Sequence, residues 1–243
     1  MSDDHADAAR LAEDAGQLLL GLRAHIGDRP ADAVRDEGDR RSNELLLEHL
    51  ARLHPTDAVL SEEAADDPAR LAAPRVWVID PLDGTREFGE PPRTDWAVHV
   101  ALVCGHEPVA GAVALPARGL VLSTGAPRAA PPPTGRPRLV VSRTRPPAST
   151  ALLAEALGAE LVPMGSAGAK AMAIVLGEAD VYAHSGGQHE WDSAAPVAVA
   201  QACGLHCSRL DGSPLRYNQP DPWLPDLLIC RPELAERVID ALR

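Results

Sequence analysis

The chain reads as an α+β protein in two parts, helices leading into antiparallel strands and then strands alternating with helices. Three observations carry that reading. Apolar residues recur at helical spacing near the N-terminus, and a series of strand-length apolar runs follows. Beyond a proline-rich break at Ala126 to Arg138, containing Pro131-Pro132-Pro133, strand and helix patterns take turns. That break divides a first part, 1–130, from a second, 131–243.

The first helix covers residues 5–26, with Ala8, Leu11, Ala12, Ala15, Leu18, Leu19, Leu22 and Ile26 on one face, and Gly27 to Pro30 stops it. The polar stretch Arg35 to Ser42 leads into a second helix with Leu45, Leu46, Leu47, Leu50 and Leu53. Asp39 stands where an N-cap belongs, a role that leaves room for another. Ala58 to Leu60 is a short strand followed at once by Glu62 and Glu63, which are either the start of a solvated loop or ligands. Val76 to Ile79 is a buried strand, and Trp96 to Val103 is a long one carrying His99 as a core or sheet-face residue. Val109 to Leu115 and Leu120 to Ser123 are its antiparallel neighbours.

In the second part, Leu139 to Val141, Leu161 to Pro163 and Val181 to Ala183 are strands. Ser149 to Leu157 and Ser166 to Leu176 are helices, and His184 to Gln188 is a loop. Asp192 is placed to cap a helix that Gly204 closes. Leu227 to Cys230 is a late strand, and Pro232 starts the last helix.

At 243 residues the chain can bury a sizeable core, and 45% hydrophobic with 24% charged residues is a globular composition. No apolar run reaches the roughly 20 residues of a membrane span. The acidic start MSDDHADAAR has no signal-peptide pattern, so a cytoplasmic protein is expected. A net charge of −12 argues against a nucleic-acid partner. It also means that a bound phosphate needs local cations, with metal the obvious source. Lys170 is the only lysine, which points to a specific task for it, with a surface role as the alternative. Cys104, Cys203, Cys207 and Cys230 show no disulfide framework, and Cys203-x-x-His206-Cys207 lacks the partner pair of a zinc site.

The chemistry concentrates in Asp80-Pro81-Leu82-Asp83-Gly84-Thr85, at the end of the strand Val76 to Ile79. Pro81 suits the second position of a tight turn, which brings the two acids within roughly 7 Å at their Cα atoms. Acids that close repel unless a proton or metal lies between them. The plainer alternative is a polar turn capping the next segment. A covalent aspartyl-phosphate signature needs its acids two apart and near the chain start, and these are three apart. Two metal-ligating acids, helped by the Leu82 carbonyl, suit Mg²⁺ or Mn²⁺ rather than zinc.

Glu62-Glu63, Asp80 to Thr85 and Trp191-Asp192 at the head of a helix resemble, in that order, the inositol monophosphatase superfamily of lithium-sensitive, magnesium-dependent phosphatases. The likeness spans nearly the whole chain and includes Leu210 to Asn218. Leu60-Ser61-Glu62-Glu63 and Glu190 to Ala195 look most like its CysQ branch, the 3′-phosphoadenosine 5′-phosphate (PAP) phosphatases.

The resemblance implies a layered αβαβα fold with a mostly antiparallel N-terminal sheet and a smaller C-terminal α/β half. It implies two or three Mg²⁺ ions held by Glu62, Asp80, the Leu82 carbonyl, Asp83 and Asp192. Thr85, paired with Asp39, would orient the attacking water, Gly84 and Thr85 amides would face the phosphate, and no phosphoenzyme would form. Gly165-Ser166-Ala167-Gly168-Ala169-Lys170 resembles the branch's substrate segment, with one residue more before the lysine. The helix N-terminus at Ser166, together with Lys170, would there hold the nucleotide's remaining phosphate, and Asp83 and Asp192 would also meet the substrate. A phosphorylated small molecule is the implied partner, with no membrane partner and with a homodimer as the assembly. PAP is the leading substrate, inositol 1-phosphate or fructose 1,6-bisphosphate the alternative, and a non-catalytic metal or nucleotide sensor the remote one. With 3% aromatic residues no adenine platform stands out, and Tyr182, His184 and His189 are the candidates.

Overall fold

The computed structural model describes residues 3–27, 29–144, 146–147 and 149–243. The first part holds helices α1 (Asp4–Arg23) and α2 (Ala31–Leu53), then β1 (Ala58–Ser61), β2 (Val76–Asp83), the single turn α3 (Thr85–Phe88), β3 (Ala97–Cys104), β4 (Glu107–Leu115) and β5 (Leu120–Ser123). The second holds β6 (Arg138–Ser142), α4 (Thr150–Leu157), β7 (Glu160–Met164), α5 (Ala167–Val175), β8 (Val181–His189), α6 (Glu190–Ala202), β9 (His206–Ser208), β10 (Trp223–Cys230) and α7 (Ala235–Ala241).

Two five-stranded sheets form, ordered β1-β2-β3-β4-β5 and β7-β6-β8-β10-β9. The first is antiparallel except where β1 runs parallel to β2. The second is mixed, with β6 parallel to β7 and β8, and β10 antiparallel to β8 and β9. Period-2 alternation sends each sheet's side chains into two different cores. Trp77, Ile79, Val98, Val100 and Leu102 pack on α1 and α2. Val76, Val78, Ala97, Ala101 and Val103 pack on α5 and α6, which meet Val140, Tyr182, Leu227 and Ile229 of the second sheet from their other side. Leu139, Val141, Val181 and Leu228 face α4 and α7. The result is the expected αβαβα stack. Alanines on α5 and α6 keep the central layer thin, and a Cβ on Gly111 would lie 3.0 Å from that of Ala198.

Local readings change at several places. The polar stretch Arg35 to Ser42 is helical, because its charges pair one turn apart (Arg41 with Glu37, Arg40 with Glu44) while Val34, Gly38 and Ser42 face inward. Asp39 therefore lies inside α2 rather than at its cap. Asp80 to Asp83 is no tight turn but the continuation of β2, with a register shift between Asp80 and Asp83 against β3. The segment His184 to Gln188 belongs to β8, since β10 pairs with it through a second irregularity. Asp192 sits in the first turn of α6, where it accepts the N–H of the cap residue His189 at 2.6 Å.

Candidate active site

The site assembles where α2, the ends of β1 and β2, and the starts of α5 and α6 meet. Gly38 lets α2 come close to the β2 end, for a Cβ there would lie 3.1–3.3 Å from Phe88, Leu82 and Leu19. From that position α2 ties down both acidic strand ends. Ser42 donates to the Pro81 carbonyl at 2.7 Å, and the Ser61 hydroxyl donates to Asn43 Oδ1 at 2.7 Å. Pro81 has no N–H of its own, and Asp80 Oδ1 accepts the next amide, that of Leu82, at 3.1 Å.

Asp80, Asp83 and Asp192 each offer an oxygen within 4.8 Å of the others, and among the described residues they are the one such metal-ligating group. Asp80 is 1% exposed and Asp83 8%. Glu62 adjoins the same cluster, its carboxyl enclosed by the protein although the residue as a whole keeps solvent exposure. Burial, and then the charge of Asp192, pushes Glu62 up to about 7. Burial and the Glu62 charge hold Asp80 well above the usual carboxylate range, and burial with Asp83 raises Asp192.

Asp83 goes the other way. Burial favours its neutral form, but the neighbouring His99 and three donors outweigh burial and bring it down to about 2. It accepts the Ala167 N–H at 3.0 Å, the Gly168 N–H at 2.6 Å and the Ser166 hydroxyl. The amides at the start of α5 are thus taken by a protein carboxylate, a favourable place for one. His99 Nε2 lies 3.1 Å from Asp83 Oδ2, an ion pair when the imidazole is protonated, and Asp83 raises the His99 pKa against its burial. Its Nδ1 lies 3.0 Å from the Trp191 carbonyl.

Thr85 Oγ1 stands 3.1 Å from the Leu82 carbonyl and 3.5 Å from Asp39 Oδ1. Burial, and then the Glu63 charge, raises Asp39 to about 7. Gly84, at φ +86°, makes the left-handed step from β2 into α3.

Asp83, Gly84, Thr85, Ser166, Lys170 and Asp192 all border one cavity of about 820 Å³. Lys170 is 7% exposed, its Nζ 5.3 Å from the Tyr182 ring, and no carboxylate of the described residues lies within ion-pair distance of it. Burial lowers its pKa, with Asp83 and Glu87 opposing that shift.

A model of the inositol monophosphatase family matches residues 8–243. This chain belongs to that family. It is 54% identical over 238 residues to the 3′-phosphoadenosine 5′-phosphate phosphatase of Mycobacterium bovis, covering 94% of this chain and 89% of that one. It is 52% identical to the Mycobacterium leprae protein of the same name, covering 99% and 93%. The crystal structure of CysQ from Bacteroides thetaiotaomicron matches it with a TM-score of 0.82 at 25% identity, covering 93% and 96%.

As a member of this family the chain is a phosphoric monoester hydrolase. The acid cluster fits a metal ion by its chemistry. Asp80 and Asp192, each accepting one backbone amide and raised by burial and by the charge of Asp83 beside them, present the kind of oxygens that a hard divalent cation satisfies. His99 is the site residue that sequence reasoning left in the core. Its signal lies in the β2–β3 register, where it stands directly across from Asp80 in a row otherwise made of Ala97, Ala101 and Val103. Arg143 also borders the cavity, bound to Glu87 at 2.9 Å and Glu90 at 2.7 Å, and was not singled out from the sequence. No described helix is long and apolar enough to cross a membrane.

Proposed function

We propose that this phosphatase removes the 3′-phosphate of PAP to leave AMP, using Mg²⁺, with Mn²⁺ as an ion of matching chemistry. The observation that carries the reading is a buried acid cluster and a buried lysine with no ion pair among the described residues on one cavity, room for a substrate phosphorylated at two ends. The names of the mycobacterial relatives support it. Glu62, Asp80, the Leu82 carbonyl, Asp83 and Asp192 would hold the metal. When bound, it supplies positive charge against the ester oxygens and acidifies a water beside them.

The protein's own groups do the rest. Thr85 donates its hydroxyl hydrogen to Asp39 or the Leu82 carbonyl as a hydrogen bond, which leaves a lone pair free to accept a hydrogen bond from the attacking water and so to aim it. Asp83 is kept ionised by His99, Ser166 and the α5 amides, so it can ligate at any working pH. Ser166 serves the substrate indirectly, through Asp83. Lys170 gives the second phosphate a cation in a site otherwise dominated by acids. A homodimer and a cytoplasmic setting belong to the same reading.

With Mg²⁺ the wild type is expected to release one phosphate per PAP and to leave AMP, resolved by chromatography. Asp83→Asn is expected to lose turnover by a factor of at least about 10³ while melting as a folded protein. Adenosine 3′-phosphate as the product, or an active Asp83→Asn, would contradict the assignment.

A further inference from the structure

The cavity contains a feature that neither the acids nor Lys170 explain. Trp223 is 47% exposed, and of the exposed large hydrophobic residues among those described it alone borders this cavity. The backbone is shaped to keep it there. Gly186 and Gly187 take φ of +116° and +82°, and a Cβ on Gly187 would lie 1.7 Å from the indole. The strand therefore passes directly under the ring, which only glycine permits. Register pairs Trp223 with His189, and the two rings meet edge-on with centroids 5.5 Å apart. His189 is itself stacked on Trp191 at 4.6 Å and 9°, one turn from Asp192. An aromatic wall thus runs from the acid cluster to the open indole.

The other rings are engaged. Tyr182 lies beneath the Lys170 ammonium, His184 Nε2 is bonded to the Gly187 carbonyl at 2.9 Å, and one face of His189 is covered by Trp191. Trp223 is the ring with surface to offer.

Resting on the PAP reading, we propose that Trp223 is the platform on which the nucleobase of the substrate stacks. A purine has a flat π-face that an indole can cover, whereas a sugar or cyclitol phosphate has none. Such stacking is felt equally in ground and transition states, so it governs KM rather than kcat.

The test compares wild type, Trp223→Ala and Trp223→Phe. Affinities for AMP and for ribose 5-phosphate are measured by calorimetry, alongside kcat and KM on PAP. Trp223→Ala is expected to weaken AMP and raise the KM for PAP about tenfold, the order of one base–aromatic stack, with kcat and ribose 5-phosphate binding unchanged. Trp223→Phe recovers most of the loss. Equal AMP binding in wild type and Trp223→Ala, or an equal loss for ribose 5-phosphate, overturns the platform. A wild type that fails to hydrolyse PAP yet loses AMP on Trp223→Ala sinks the PAP reading and keeps the platform.

Discussion

Asp80 and Asp83 are the same residue type three positions apart, and their neighbours drive them to opposite protonation behaviour. Asp80 has one backbone donor and faces Glu62, whereas Asp83 collects three donors and His99. In the metal-free protein Asp39 and Glu62 sit at about 7, and Asp80 and Asp192 are raised as well. Below about pH 4 the folded and unfolded chains both keep these protons, and the groups leave stability unchanged. As pH climbs from about 4 to 7, the unfolded chain sheds protons that the folded one retains, so stability falls. The metal-free melting temperature is therefore expected to drop over that interval, and added Mg²⁺ to restore it by displacing the protons. Asp80→Asn removes one buried, repelled carboxylate. It should raise the metal-free melting temperature while abolishing the Mg²⁺ gain and the turnover, and a lowered melting temperature would count against the account. At this scale the acids were legible because carboxylates at strand ends stand out against an apolar sequence. His99 was not, because its meaning depends on a strand register that places it across from Asp80.

At the scale of elements, α5 is the piece that connects the two parts of the chain through Asp83. Its start must come very close, since a Cβ on Gly168 would lie 2.1 Å from His99 Nε2. Gly168→Ala is expected to cost about 1–3 kcal/mol through overpacking and to lower turnover by displacing the Asp83 donors. Gly21→Ala, in α1 with nothing within 4 Å of the new methyl, is the control and should be neutral or slightly stabilising. Calorimetric melts and PAP assays on both variants check this, and equal behaviour of the two would contradict the role given to α5. Most helices and strands were readable from their periodicity. The start of α2 was hidden by charges that pair along its outer face, and the end of β8 by Gly186 and Gly187, which usually mark a loop. The bulge at Asp80 to Asp83 replaced a tight turn because Ser42 and the β3 register hold that stretch extended.

Over the whole molecule, five layers place the acid cluster at the junction of the first sheet with the central helix layer, so residues far apart in the chain converge. Glu62, Asp80 and Asp83 come from strand ends of the first sheet, Asp39 from an outer helix, and Ser166, Lys170 and Asp192 from the helices between the sheets. The order of these motifs was visible in the sequence, but their convergence required the fold. The cavity's aromatic wall was also out of reach, because Trp223 lies far along the chain from the acids and faces them only through its pairing with β8. The central claim is that this constellation serves a metal-dependent PAP phosphatase. The most direct measurement is kcat/KM for phosphate release from PAP, inositol 1-phosphate and fructose 1,6-bisphosphate side by side, with Mg²⁺ and with lithium added. A value for PAP far above the other two, lost on chelation and lowered by lithium, is the result expected. Comparable values for all three would make it a broad sugar-phosphate phosphatase, and no release from any would contradict the account outright.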